Sequence, residues 1–449
     1  MARRYGPPLV VGLAIRLIMA DVAPEPPIPA GADQYFYRGV AEYITHGYWW
    51  VDPGSVTHGV HASTGIPASA HPPLFSLVLA LADLMDLHGV DGQRTFLAVL
   101  SLVAIVCCGR LAVRLGGPRT ELTVAWAAAV LPGMWIYNGQ DLSEDITVPL
   151  VAVMLLVLYR MLERPTVPRA ALLGAFVAAG ALTRPELLVP VVVFMPLCFA
   201  GRAGWGPSAA PLRGAPPDRS SRRLGLELTA AFLAAVVLIL GPWIGRNLHD
   251  FTRTEIVSAN LGSVLAGANC ATTYHGPSIG TWSATCTDDV RVPKGDASVS
   301  DHYLEVVGEH YAEHHAGQVP LVLLARLGRA LGVWPAPSAQ VRWNAIAGGV
   351  WPAWSSWVYW VAWWVCIPFE VVAVLALRRR QRLVWPLYVM IALYLANSVL
   401  LYADPRFASS CQPALAILAG TGVALVLQDM FTRSGGAHAA RDRAVRAPR

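Results

Sequence analysis

The chain has 449 residues, of which 55% are hydrophobic and only 14% charged, against about 25% charged in an ordinary soluble protein. That balance excludes a soluble enzyme and implies a multi-span membrane protein, and its sixteen Trp suit the membrane interface. The net charge of +5 is not gathered on a basic soluble module, so a nucleic-acid partner is excluded as well.

Arg3 and Arg4 precede a first apolar run, Pro7 to Ala20. No small-residue cleavage site follows it, so it reads as an uncleaved anchor that crosses from the cytoplasm outward. A Pro-rich exit (Pro24, Pro26, Pro27, Pro29) opens a first outer loop over residues 24–94. Within it, Asp33 to His46 reads as a short amphipathic helix. Asp33 is an early acid in an aromatic setting of Tyr35, Phe36 and Tyr37. A polar Gly/Ser/His link leads to a His-Pro-Pro-Leu corner at His71. The helix it opens, His71 to Leu87, falls short of the roughly 20 residues a span needs. It is expected to lie on the outer face as a juxtamembrane or re-entrant helix.

Thr95 to Leu115 returns to cytoplasmic Arg110, Arg114 and Arg119, and Glu121 to Tyr137 crosses outward. The loop Asn138 to Asp145 is then outside, and Ile146 to Met161 returns to Arg160, Arg164 and Arg169. Two short apolar runs between Ala170 and Ala200 read as a hairpin with Arg184 and Glu186 near its outer tip. A Pro-, Gly- and Arg-rich cytoplasmic loop follows over residues 201–225. Leu226 to Ile244 crosses outward and a long outer loop spans residues 245–356. It holds Cys270 and Cys286, expected to form a disulfide whose loop of roughly 15 residues stabilises by roughly 3 kcal/mol. Pro320 to Trp334, carrying Arg326 and Arg329 on one helix face, is expected to stay at the outer surface. Trp357 to Leu377 enters the cytoplasm, Leu383 to Tyr402 leaves it, Ala403-Asp404-Pro405-Arg406 makes an outer turn, and Cys411 to Met430 returns. Residues 431–449 form a basic cytoplasmic tail expected to be disordered. The expectation is an all-α polytopic membrane helical bundle of about ten spans. Residues 1–430 form its single domain, in the plasma membrane, with both termini cytoplasmic.

On this topology Asp33, His71, Asp141, Glu144, Arg184, Arg246, Arg326, Arg329 and Arg406 all map to the outer membrane–water boundary. The cytoplasmic loops offer Arg but few acids and no Gly-rich phosphate cradle. Such a set suits transfer of a group from a lipid-borne phosphate. A carboxylate removes the acceptor's hydroxyl proton, and cations stabilise the charge on the departing phosphate. Asp33 is the candidate base. His71, Arg184, Arg246 and Arg406 are candidate phosphate partners, with Arg326 and Arg329 placed for a lipid phosphate or headgroup. A transporter or glycolipid flippase is the rival reading, but its charges would sit near the middle of spans, often within an inverted repeat.

The pieces GADQYFYRGVAEYITHGYW, HPPLFSLVLAL, YNGQDLSEDITVPL, GALTRPELLVP, GPWIGRN and YADPRFASSCQPALAILAG follow one another and cover most of the chain to Gly420. Taken together they resemble the integral-membrane glycosyltransferases of the GT-C superfamily that use polyprenyl-phosphate sugars. Among these the likeness is to protein O-mannosyltransferase-like and aminoarabinose transferase-like enzymes of actinobacterial style. The resemblance implies transfer of a sugar, with inversion, from a polyprenyl-phosphate donor drawn from membrane lipid. The acceptor is a hydroxyl on a glycolipid, a polysaccharide or a protein. It implies that Asp33 is the catalytic acid of the first loop, and that Glu144, with Asp141 beside it, is the acid of the second. His71 stands where the residue before Pro-Pro-Leu contacts donor phosphate in some relatives, often as Lys. Gln34 stands where many carry a second acid, which argues against a metal-bridging pair at that spot. Some relatives use a divalent metal and others do not, so a divalent metal cofactor stays open.

Overall fold

A computed structural model describes residues 2–23, 33–54, 66–200, 219–334 and 353–445. The Pro-rich exit and most of the loop 201–225 lie outside the described residues. The described residues form helices without strands, and their extended backbone pairs only in an isolated bridge between Val51 and Pro67.

The helices run, in chain order, α1 (Ala2–Val22), α2 (Asp33–Thr45), α3 (Leu74–Leu84), α4 (Gly89–Gly116), α5 (Glu121–Val130), α6 (Glu144–Glu163), α7 (Val167–Ala181), α8 (Val189–Ala200) and α9 (Arg219–Asp250). Then come α10 (Leu261–Ala268), α11 (Ala271–Tyr274), α12 (Thr285–Asp288), α13 (Ala297–His314), α14 (Val319–Ala330), α15 (Ala353–Arg379), α16 (Trp385–Leu400) and α17 (Gln412–Val445). Six of these, α1, α4, α6, α9, α15 and α17, hold stretches long and apolar enough to cross a membrane, and α3, α7 and α16 are shorter apolar helices. The chain is a multi-pass helical membrane protein. Its centre is α6, buried on nearly all sides, with Val151, Leu155 and Leu158 closed off completely or nearly so. α7 lies along α9, where Gly174 admits the close approach: a Cβ there would stand 2.3 Å from the Phe232 carbonyl. α17 continues as helix into the tail expected to be disordered, and the run AHAARDRAV that ends it is rich in good helix formers.

The stretch Glu121 to Tyr137, expected as one span, is not one unbroken helix. α5 stops at Val130, Leu131 turns extended (φ −66°, ψ 129°), and Pro132–Met134 makes a tight 3₁₀ turn. Pro132 is the cause, since a residue before proline is pushed out of the helical region. Ten residues of helix rise about 15 Å, roughly half of the hydrocarbon core. The carbonyls freed by this early end are taken by Arg16, a fully buried residue within α1. Its guanidinium donates to Ala129 O (3.3 Å), Ala128 O (3.4 Å), Met134 O (3.0 Å), Gly12 O (3.0 Å) and Ser101 Oγ (2.7 Å). An arginine inside an apolar run was the signal for this in the sequence. Arg16→Met is expected to lower the melting temperature in detergent. Each buried carbonyl left without a donor costs about 1–3 kcal/mol.

Between α9 and α15 the described chain forms a lobe of short helices, in which α10 packs on α13. A disulfide joins Cys270 to Cys286, with Cα atoms 6.2 Å apart. Ala403 N–H donates to Gly280 O at 3.0 Å and so latches the lobe to the turn after α16. In the lobe, burial, helped by Asp301, Glu305 and Asp296, pushes the Glu255 carboxyl up to about 7. Folding therefore favours its protonated form, whose contribution is fully present below about 4.5 and lost as pH rises towards about 7. Glu255→Gln is expected to raise the melting temperature above that window and to leave it unchanged below it, which a thermal scan at two pH values checks.

Candidate active site

α2 carries one apolar face, Phe36, Tyr37, Val40 and Ala41, and lays it on α3. This packing sets Asp33, the first residue of α2, beside His71, just ahead of the Pro-Pro corner. The His71 ring lies between Tyr37 (centroids 4.7 Å apart, planes at 34°) and Phe36 (5.0 Å, 74°). Its Nε2 stands 3.3 Å from Asp33 Oδ1. Leu74 N–H donates to Leu182 O at 2.8 Å, which ties the start of α3 to the end of α7 and so to Arg184.

Two arginines close the cluster. Arg406 lies in the 3₁₀ turn Pro405–Ser410, whose entry Asp404 caps by accepting from Arg406 N–H at 2.9 Å. Its Nη2 donates to Asp33 Oδ2 at 2.7 Å and its Nε to Glu144 Oε1 at 2.8 Å. Glu144 opens α6 and is fully buried, where the positive end of the helix favours an acid. The same Oε1 accepts from Arg184 Nη1, while Arg184 Nε donates to Glu186 Oε1 at 2.5 Å. The Arg184 guanidinium lies over the Phe407 ring, 5.3 Å from its centroid. Asp33, His71, Glu144, Arg184 and Arg406 therefore meet in one ion-paired cluster at one end of the helices. Burial alone pushes the Asp33 carboxyl up, but Arg406 and His71 outweigh it and hold Asp33 well below the usual carboxylate range.

Asp141 belongs to a second group. It is buried, with φ of +52°, a left-handed conformation that Asp tolerates. Arg94 Nε of α4 stands 3.4 Å from its Oδ2, and Arg38 Nη1 of α2 stands 4.0 Å from the same atom. Gly139 has φ of +91°, and a Cβ there would meet Met19 O at 2.8 Å, so only glycine fits. Arg38 and Arg94 are members that sequence reasoning missed, since nothing local marks either as a partner of Asp141.

The remaining arginines hold backbone carbonyls. Arg246 Nη1 donates to Ala68 O at 2.9 Å, its Nε pairs with Asp250 Oδ2 at 2.8 Å, and the guanidinium lies near the Trp243 and Phe251 rings. Arg326 donates to Ala268 O (2.8 Å), Val399 O and Leu400 O (both 3.3 Å), and Asn269 Oδ1 (3.1 Å). Arg329 donates to Ile279 O at 2.7 Å and to Pro277 O. These bonds join the first loop to α9 and the lobe to α16.

The donor set does not fit a divalent cation. Asp33 Oδ1 faces His71 and Oδ2 accepts from Arg406. Glu144 Oε1 accepts from both arginines, and Oε2 lies 3.4 Å from Ser143 Oγ. Arg406 occupies the space between the two acids, so a cation bridging them would have to displace a guanidinium and sit beside its charge. Among the described residues no three His, Cys, Asp or Glu side chains converge to hold a metal ion.

No protein-family model and no curated protein sequence matches the chain. Solved structures do. The crystal structure of the Archaeoglobus fulgidus oligosaccharyltransferase in complex with Zn and sulfate has a TM-score of 0.54 at 14% identity, covering 98% of this chain and 51% of that one. The oligosaccharyltransferase AglB from Archaeoglobus fulgidus, in complex with an inhibitory peptide and a dolichol-phosphate, has a TM-score of 0.53 at 11% identity, covering 100% of this chain and 52% of that one. The chain spans about half the length of these structures. At such identities the likeness is one of fold: the chain has the helical membrane fold of these oligosaccharyltransferases.

Proposed function

We propose that the protein transfers a hexosyl or pentosyl group from a polyprenyl-phosphate donor to an acceptor hydroxyl at the outer face of the plasma membrane, both termini being cytoplasmic. The observation that carries this reading is the convergence of Asp33, His71, Glu144, Arg184 and Arg406, from five separated segments, on one ion-paired cluster. Two carboxylates sharing a cluster with two guanidiniums and an imidazole supply both needs of the reaction, a proton acceptor and a phosphate partner. The dolichol-phosphate and acceptor peptide bound in the archaeal structures support a lipid phosphate on one side and an acceptor on the other.

In this reading the acceptor oxygen attacks the anomeric carbon as its proton passes to Asp33. The bond from that carbon to the phosphate oxygen breaks, its electrons leave with polyprenyl phosphate, and the configuration inverts. Arg184, Arg406 and His71 bind the phosphate. Glu144 positions the two arginines, and Asp141 holds the loop that presents Glu144. Arg246, Arg326 and Arg329 act further out, by fixing the first loop (24–94) and the long loop (245–356) about the site. Residues 1–430 work as one catalytic unit.

The test is sugar transfer by purified protein in lipid, with a panel of radiolabelled polyprenyl-phosphate sugars, beside Asp33→Asn. Turnover of one donor that vanishes in the variant supports both the reaction and the base. Full turnover in the variant removes Asp33 and moves the base to Glu144. Folded wild type that turns over no donor, yet moves glycolipid across the bilayer, overturns the reading in favour of a flippase.

A further inference from the structure

Arg406 uses its guanidinium in an unusual way. An arginine fork commonly grips one carboxylate with two N–H groups. Here Nη2 donates to Asp33 and Nε to Glu144, at 2.7 and 2.8 Å, so a single cation spans two acids from different segments. Arg184 adds a second guanidinium on Glu144. Together they place two guanidiniums on the Asp33–Glu144 pair, Arg184 sharing its charge with Glu186, and both are fixed to the protein and keep their charge because a guanidinium does not lose its proton. The Nη1 edge of Arg406 has no partner among the described residues and carries two further N–H donors.

We infer that Arg406 is the resident cation of this site. It holds the place between the two acids that a divalent ion would need, so the site works without a divalent metal, and its Nη1 edge is the part left for a phosphate oxygen. A metal entering here would have to break both ion pairs and then sit beside the displaced guanidinium. The inference rests on the proposed glycosyl transfer for its activity arm alone.

The experiment titrates Mn2+ into chelator-treated, full-length protein in nanodiscs and reads bound ion by electron paramagnetic resonance. Wild type is expected to bind no Mn2+ at this site up to about 1 mM, the range of weak sites for hard cations. Arg406→Ala frees Asp33 Oδ2 and removes one of the two donors on Glu144 Oε1, and is expected to gain a saturable site at least about tenfold tighter, roughly 1.4 kcal/mol. Glu144→Gln in that background should abolish it, and Arg406→Lys should gain none. In parallel, wild-type turnover is expected to be unchanged by chelator and by added Mn2+.

Saturable Mn2+ binding to wild type that Glu144→Gln removes would overturn the inference. So would turnover that chelator stops and Mn2+ restores, or a folded Arg406→Ala that gains no site. If Arg406→Ala does not fold, the wild-type titration against Glu144→Gln decides. If no donor is turned over, the glycosyl-transfer reading falls while the Mn2+ titration still decides the cation.

Discussion

Asp33→Asn should slow sugar transfer by about 10²–10⁴, the range that a positioned general base contributes. The variant keeps the shape and one oxygen for Arg406 but loses the charge that takes the acceptor's proton. The effect should fall on kcat. The KM for the donor should stay level or drop, because Arg406, now held less firmly, is freer to meet a phosphate. Initial rates in lipid over a donor series separate the two constants, and a rise in donor KM with kcat intact would contradict the assignment. The pH profile adds a second check. Asp33 is held below the usual carboxylate range, so its stabilising ion pair is fully present above the unfolded value of about 3.9 and is lost only as pH falls further. No limb of the rate profile between about pH 5 and 8 should therefore belong to Asp33.

Glu144→Gln should be the most destabilising single change in the cluster. Glu144 is fully buried and accepts from both Arg184 and Arg406. Its neutralisation leaves the two guanidiniums close together with one acid fewer, and breaking a buried pair from one side costs about 3–5 kcal/mol. The expected result is a lower melting temperature in detergent together with lost turnover. The cause is isolated by a double variant: Glu144→Gln with Arg184→Met removes the stranded charge and should recover part of the stability. A double variant no more stable than Glu144→Gln alone would show that the ion pair is not the source.

Much of the fold was legible because lipid permits few solutions. Long apolar runs ending in arginine, such as Gly89–Gly116 and Trp354–Arg379, must be helices, and their composition alone marks them as candidate spans. The amphipathic stretch after Asp33 was legible too, from aromatic residues spaced along one face. What could not be read was which arginine serves which partner. Arg246 and Arg406 stand near the ends of apolar runs and Arg326 within a short one, and nothing in the sequence tells their partners apart. Yet Arg326 donates chiefly to backbone carbonyls, Arg246 to a carbonyl and its own helix neighbours, and Arg406 to two distant acids. The difference lies in the chain brought opposite each one, and local spacing does not carry that. The end of α5 at Leu131 was misjudged for another reason. Hydropathy continues smoothly to Tyr137, but one proline stops the helix.

The span of chain between Asp33 and Arg406 also sets a timetable. They are 373 positions apart, and at ribosomal rates of about 5–20 residues per second Arg406 is made roughly 20–75 s after Asp33. By the end of that interval Asp33, Glu144 and Arg184 have all been made without the turn that joins the two acids. A chain released early, before the turn at Pro405, would carry the proposed base but not its bridging cation. Competence at the site thus waits for the turn at Pro405, which makes that turn the check on the acids made before it.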